Sequence, residues 1–190
     1  MCSSDLTREY FEHIKAHLNP GGVVTQWVPL YESTEDVVRS ELATFFEVFP
    51  NGTVWRNDAR GGGGYDMVLV GRLEETPIDV DAWQAKGDRP EYTTVKASLA
   101  EVEYSTILDV LKTYSGRSRD LGPWLAGATI NTDKNLRLQY LAGLGSNNNS
   151  GTEIRDSMLR YRQFPTDLFT GQASSIEALR DQMMDGASRP

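Results

Sequence analysis

Apolar positions recur at helical spacing near the start of the chain, where Phe11, Ile14 and Leu18 fall on one helix face. Asn19-Pro20-Gly21-Gly22 ends that helix, because proline cannot extend the ladder and glycine takes the left-handed conformation that closes it. Val23, Val24, Trp27 and Val28 form a β-favouring run of the length expected of a strand covered on both faces, ended by Pro29. Ser33 and Asp36 have the spacing of a near relative of the capping box. Val38, Leu42, Phe45, Phe46 and Phe49 then predict a helix whose apolar stripe packs on a sheet, and Pro50-Asn51-Gly52 closes it. Residues 53–56 and 65–70 are β-rich, and the four glycines at 61–64 between them predict a mobile hairpin link.

Composition changes near residue 74, where Glu74-Glu75-Thr76-Pro77 makes a polar break. Beyond it, Val95, Leu99, Val102, Ile107, Leu108 and Leu111 predict one long helix over about 94–114, and shorter helices are expected at 80–86, 154–161 and 175–184. The Asn-rich stretch 146–151 reads as a solvated loop. The chain thus divides into an α/β segment over 1–73 and a mainly helical extension over 74–190.

The 190 residues suffice for one moderate core, or for a small core with a helical appendage. A net charge of -8 with no cluster of Lys and Arg argues against a nucleic-acid partner. No apolar run approaches the roughly 20 residues that cross a bilayer, and residues 1–6 have neither the basic start nor the apolar stretch of a secretory signal. The single cysteine, Cys2, supports neither a disulfide framework nor a cysteine metal cluster. Together these point to a cytoplasmic chain.

Several chemistries fail on pattern. His13 and His17 have a helical metal-ligand spacing but lack a third ligand nearby, so a solvated face is favoured. No strained Gly-x-Ser-x-Gly turn supports a serine nucleophile. Asn51-Gly52-Thr53 and Asn148-Asn149-Ser150 fit glycosylation triplets, which carry little weight without a secretory signal.

Two blocks carry a resemblance. Thr7-Arg8-Glu9-Tyr10-Phe11, followed by Pro20-Gly21-Gly22, resembles the helix and turn that follow the catalytic loop of spermidine synthase-like (polyamine aminopropyltransferase-like) proteins. Ile130-Asn131-Thr132-Asp133 with Leu138-Gln139-Tyr140-Leu141 is similar to a pattern near the end of bacterial members, some of them fused to membrane segments. The chain has Asn135-Leu136 where that pattern usually has a proline. The resemblance implies an α/β fold: the carboxyl-terminal half of a methyltransferase-like (Rossmann-type) sheet ending in an antiparallel hairpin, followed by an α-helical extension. It also implies transfer of an aminopropyl group from decarboxylated S-adenosylmethionine to a polyamine, with carboxylates freeing the attacking amine.

In that family the Gly-x-Gly cofactor loop, the acidic ribose ligand and the Asp-rich catalytic loop precede the first helix. None of them can be placed in this sequence, and the glycines at 61–64 do not form a strand-to-helix phosphate turn. The chain is therefore expected to be a fragment, inactive alone, that binds neither decarboxylated S-adenosylmethionine nor S-adenosylmethionine by itself.

The substrate side offers candidates. Gln26 and Trp27 stand at the carboxyl end of the first strand, the edge where open α/β sheets bind ligands. The glutamine could bond a polar substrate and the indole could shelter a cationic amine; equally, Trp27 is core and Gln26 a sheet-end hydrogen bonder. Tyr31 and Glu32 lie just beyond, where a phenol or carboxylate could meet a polyamine, although Glu32 reads better as surface. Asp66 follows the glycines as a rim residue of the same cleft or as a turn cap, and Asn131 and Asp133 bind substrate or cap the segment before Arg137. Two alternatives stay open: a non-catalytic interaction or regulatory module, including a homodimer, and a fragment of an S-adenosylmethionine-dependent methyltransferase.

Overall fold

The computed structural model describes residues 6–31, 33–57, 66–142 and 151–185. Cys2, Glu32, the glycines at 61–64 and the Asn148-Asn149-Ser150 triplet lie outside the described residues. The described chain is α/β, with a mostly antiparallel four-stranded sheet and helices. The described residues form two compact units: those within 6–57, 66–74 and 115–162 in one, and those within 75–114 and 163–185 in the other. The helical extension expected from residue 74 onward is thus shared between the units.

In the first unit, α1 (Arg8–His17) begins where Thr7, in extended backbone, accepts a hydrogen bond from the Tyr10 N–H. It buries Phe11, and Gly21, at a φ of 74°, turns the chain into β1 (Val23–Pro29). α2 (Glu35–Val48) is capped by Thr34, whose hydroxyl accepts from the Val37 N–H, one residue later than the Ser33 start expected. Glu35 and Asp36 in its first turn complement the helix dipole. Its stripe is buried as the periodicity predicts: Phe45 meets Phe11 edge-on at 5.2 Å and Phe49 at 5.1 Å.

β2 (Thr53–Asn57) and β3 (Asp66–Arg72) complete the expected hairpin, with β3 antiparallel to both β1 and β2 and lying between them. It follows that β1 and β2 are parallel, joined through α2, with the gap filled by the later strand. The hairpin does not end the sheet. β5 (Tyr114–Arg117), whose residues from Ser115 belong to this unit, adds to the far side of β2 and gives the order β1-β3-β2-β5.

β1 is not covered on both faces. Val28 is buried, whereas Val23 and Trp27 of the opposite face are exposed. Antiparallel pairing with β3 gives β1 an alternating pattern, and the polar Thr25 and Gln26 already interrupt its apolar run.

The first unit is completed by α6 (Ser118–Leu125), α7 (Arg137–Ala142) and α8 (Gly151–Leu159). The link between α6 and α7 is tied to α2, since Ser40 donates to the Thr129 carbonyl and Arg39 to the Ala126 carbonyl.

The second unit pairs β4 (Ile78–Asp79) in parallel with β6 (Phe169–Thr170) and adds α3 (Val80–Gly87), α4 (Thr93–Glu101), α5 (Ile107–Leu111) and α9 (Ala173–Asp185). Val80, Leu111, Tyr114, Phe169, Leu179 and Met183 are buried, with Tyr114 edge-on to Phe169 at 5.7 Å. Asp79 caps α3, and Asp81 accepts from Ser175 and from the Gln172 N–H at the start of α9. The single helix expected over 94–114 is instead two helices and part of a strand. Glu103 takes a φ of 71°, which ends the first helix, and Thr106 with Asp109 forms a reciprocal capping box that starts the second.

Candidate functional site

Strand register sorts the candidates by face. Opposite partners are Trp27 and Val68, Pro29 and Asp66, Trp55 and Val68, and Asn57 and Asp66. The outer face therefore carries the row Trp27, Val68, Trp55 and, one step toward the carboxyl end of β1, the row Pro29, Asp66, Asn57. The Trp55 indole donates to Thr53 on the same face at 2.8 Å, as the two-residue period requires. Trp27 and Tyr31 are exposed, with ring centroids 6.2 Å apart and planes inclined at 50°. Asp66 is diagonal to Trp27, the near neighbour that long or aromatic side chains reach. Its Oδ1 is buried without a hydrogen-bond partner, so that atom caps no turn.

Gln26 does not share this platform. It lies on the inner face, opposite Leu69, although its amide nitrogen donates at 2.8 Å to the Trp27 carbonyl. The same nitrogen is 3.5 Å from Oε1 of Glu41, which projects from the middle of α2 and is 4% exposed. Burial pushes the Glu41 carboxyl up to about 8, while the Gln26 hydrogen bond pulls it down. Glu41 escaped the sequence reading, yet a signal was there. It is three residues after Val38 and four before Phe45, which puts an acid on the apolar face of the helix.

The second resembling block has structural work. Asn131 is buried: its side-chain nitrogen donates to the Leu6 carbonyl, its oxygen accepts from the Leu138 N–H, and its own N–H donates to Thr44. The Asp133 N–H bonds Glu9. Asn135 closes the turn itself by accepting from the Thr132 and Arg137 N–H groups and donating to the Ile130 carbonyl. His13 and His17 are exposed with ring centroids 4.3 Å apart, and His17 Nδ1 lies 2.8 Å from the His13 carbonyl. Among the described residues no group of three or more His, Cys, Asp or Glu could hold a metal ion.

No family model, curated protein or solved structure matches the chain. No helix among the described residues is long and apolar enough to cross a membrane.

Proposed function

We propose that the carboxyl end of β1 is an amine-binding surface, and that the chain supplies the polyamine side of a spermidine synthase-like aminopropyl-transfer site. The observation that carries this reading is the outer-face trio Trp27, Tyr31 and Asp66. Trp27 and Tyr31 are exposed rings 6.2 Å apart, and Asp66, diagonal to Trp27 across the strand pair, is a half-buried carboxylate whose buried Oδ1 has no hydrogen-bond partner. Ring faces attract an ammonium through their quadrupole, and the carboxylate accepts its N–H bonds. A net charge of -8 draws a polycation toward the surface. The parallel β1 and β2, joined through α2 and split by an antiparallel third strand, are compatible with the closing edge of a methyltransferase-like sheet.

In this reading the rings hold the alkyl-ammonium chain and Asp66 orients its terminal nitrogen, accepting the proton that an attacking amine must lose. The link from β1 to α2, Leu30 to Thr34, contains no glycine, so no step is routed through the adenosyl donor.

Calorimetric titration of the full chain with butane-1,4-diamine tests the reading. Saturable binding that is lost in Asp66→Asn and weakened in Trp27→Ala is expected. Absence of binding, or binding that both variants retain, overturns it.

A second reading, an interaction module that homodimerises, is favoured by one observation. Among the described residues β1 pairs only with β3, and its seven residues include no charge to guard the other edge. Multi-angle light scattering separates the two, since a monomer that binds diamine excludes the second reading.

A further inference from the structure

The acidity of the chain is not spread evenly. The described residues of the first unit include twelve Asp and Glu against twelve Lys and Arg, whereas those of the second include twelve against five. The net -7 of the second unit is thus nearly the whole of the chain's -8.

Within that acidic unit lies a helix without a cover. Among the described residues, α4 is the one α-helix that buries none of its side chains. Val95, Leu99 and, at the C-cap, Val102 follow at spacings of four and three, which sets them in one apolar stripe. Val95 is 50% exposed and Val102 51%, and Leu99 is half-buried. Nine residues are too few to hold a helix on propensity alone, so such helices depend on packing an amphipathic face. Here that face is turned to solvent.

The charges beside the stripe run against the helix's own preference. Glu101 and Glu103 stand at its carboxyl end, where the dipole favours cations, and its last turn has no basic residue. Glu103 also occupies the left-handed position, at a φ of 71°, that glycine usually fills. Glu91, in the turn Pro90–Tyr92, adds an exposed acid before the other end. Lys96, the only cation on α4, is paired with Asp88 at 2.9 Å.

An apolar stripe bordered by acids is complementary to an apolar stripe bordered by Lys and Arg. A second copy of the chain does not meet that requirement, because it would bring two units of net -7 together. Nucleic acids and anionic lipid surfaces are repelled for the same reason. We propose that the exposed face of α4 is a docking surface for a basic amphipathic helix of a partner protein. The surface lies in the second unit and does not depend on the amine-binding reading.

The test uses the full chain and a fluorescent peptide of about 14 residues made of Leu and Lys alone, with Leu at helical spacing, and follows binding by anisotropy. A peptide of the same composition, ordered so that Leu is scattered around the helix, serves as the comparison. The first peptide is expected to bind about tenfold more tightly than the second. Val95→Ser with Val102→Ser is expected to remove that advantage while leaving the thermal melt unchanged. Glu101→Gln with Glu103→Gln is expected to weaken binding about threefold and to reduce its salt dependence. Equal affinity for the two peptides shows attraction by charge alone and overturns the proposal, as does an advantage that survives the valine substitutions. Unchanged affinity in the glutamine variant overturns the basic character of the partner. A lowered melting temperature in the serine variant shows that the chain itself covers α4, and a native dimer that this variant dissociates in light scattering shows that a second copy does; either result also overturns the proposal.

Discussion

On the inner face of the sheet, Val28, Val54, Met67 and Leu69 join one buried cluster with Val38, Leu42, Phe45 and Phe49. On the outer face the same strands carry Val23 and Trp27 exposed, Val68, Val70 and Trp55 half-buried, and Asp66 with an unpartnered oxygen. The strands are common to both faces, so the difference lies in what each face is packed against. A polar group on the inner face must find a partner inside the protein, as Gln26 and Glu41 find each other. A polar group on the outer face, such as the exposed Thr25, can take its partner from water.

The contrast is broken most directly at Phe45. Its ring is fully buried among Phe11, Phe46 and Phe49, so Phe45→Ala is expected to cost about 3–5 kcal/mol in urea denaturation. A loss below ~1 kcal/mol would show that the inner face is not the principal core.

Glu41 gives the next effect, and its sign depends on pH. The carboxyl ionises at about 4.5 in the unfolded chain and at about 8 in the folded one. Below the lower value both states hold the proton and nothing is lost. As pH rises between the two, the unfolded state gains by ionising while the folded state cannot, and stability falls until the folded carboxyl also ionises. At about 1.4 kcal/mol per unit, the loss is bounded at roughly 5 kcal/mol. Glu41→Gln should therefore match the native chain at pH 4 and exceed its stability at pH 8.5, by about 2–4 kcal/mol in thermal or urea melts. Equal differences at both pH values would remove the acid from the inner face's account.

Gly71 sharpens the same face on a smaller scale. A Cβ there would stand 2.8 Å from both Phe49 Cγ and Val24 Cγ1 and 2.9 Å from Phe45 Cζ. The two aromatic rings lie against bare backbone, so Gly71→Ala is expected to destabilise by about 1–3 kcal/mol through overpacking. A neutral or stabilising result would mean that the rings can slide.

How far the sequence foretold this contrast depends on the range of the interactions involved. The stripe from Val38 to Phe49, the Gly21 turn and the caps are local, and periodicity with turn chemistry placed them to within a residue or two. The break at Glu103 was legible in principle, because Thr106 and Asp109 have capping-box spacing, but apolar residues at helical intervals on both sides masked it. The two-residue strands β4 and β6 have no alternation to detect, and their pairing joins residues some 90 apart. The insertion of β3 between β1 and β2 is likewise a long-range choice. At the candidate site, a period of two already separates Gln26 from Trp27. The inward acid at 41 could be noticed, but its partner could not be chosen without the sheet register.

The smallest effect on stability is expected at Trp27, and it is the sharpest test of the outer face. Trp27 is 40% exposed and its partner Val68 is half-buried, so Trp27→Ala loses a cross-strand pair and some partial burial, about 0.5–1 kcal/mol in urea denaturation. The same substitution removes one of the two rings that a cationic ligand would meet, leaving Tyr31 and Asp66 in place. Diamine affinity should then fall by about 1 kcal/mol, roughly fivefold, an amount similar to the stability change although the protein remains folded across the titration range. If the variant instead unfolds as readily as Phe45→Ala, Trp27 belongs to a covered face and the distinction between the two sides fails. If it folds normally and binds diamine as well as the native chain, the outer face keeps its exposure but loses its assigned chemistry.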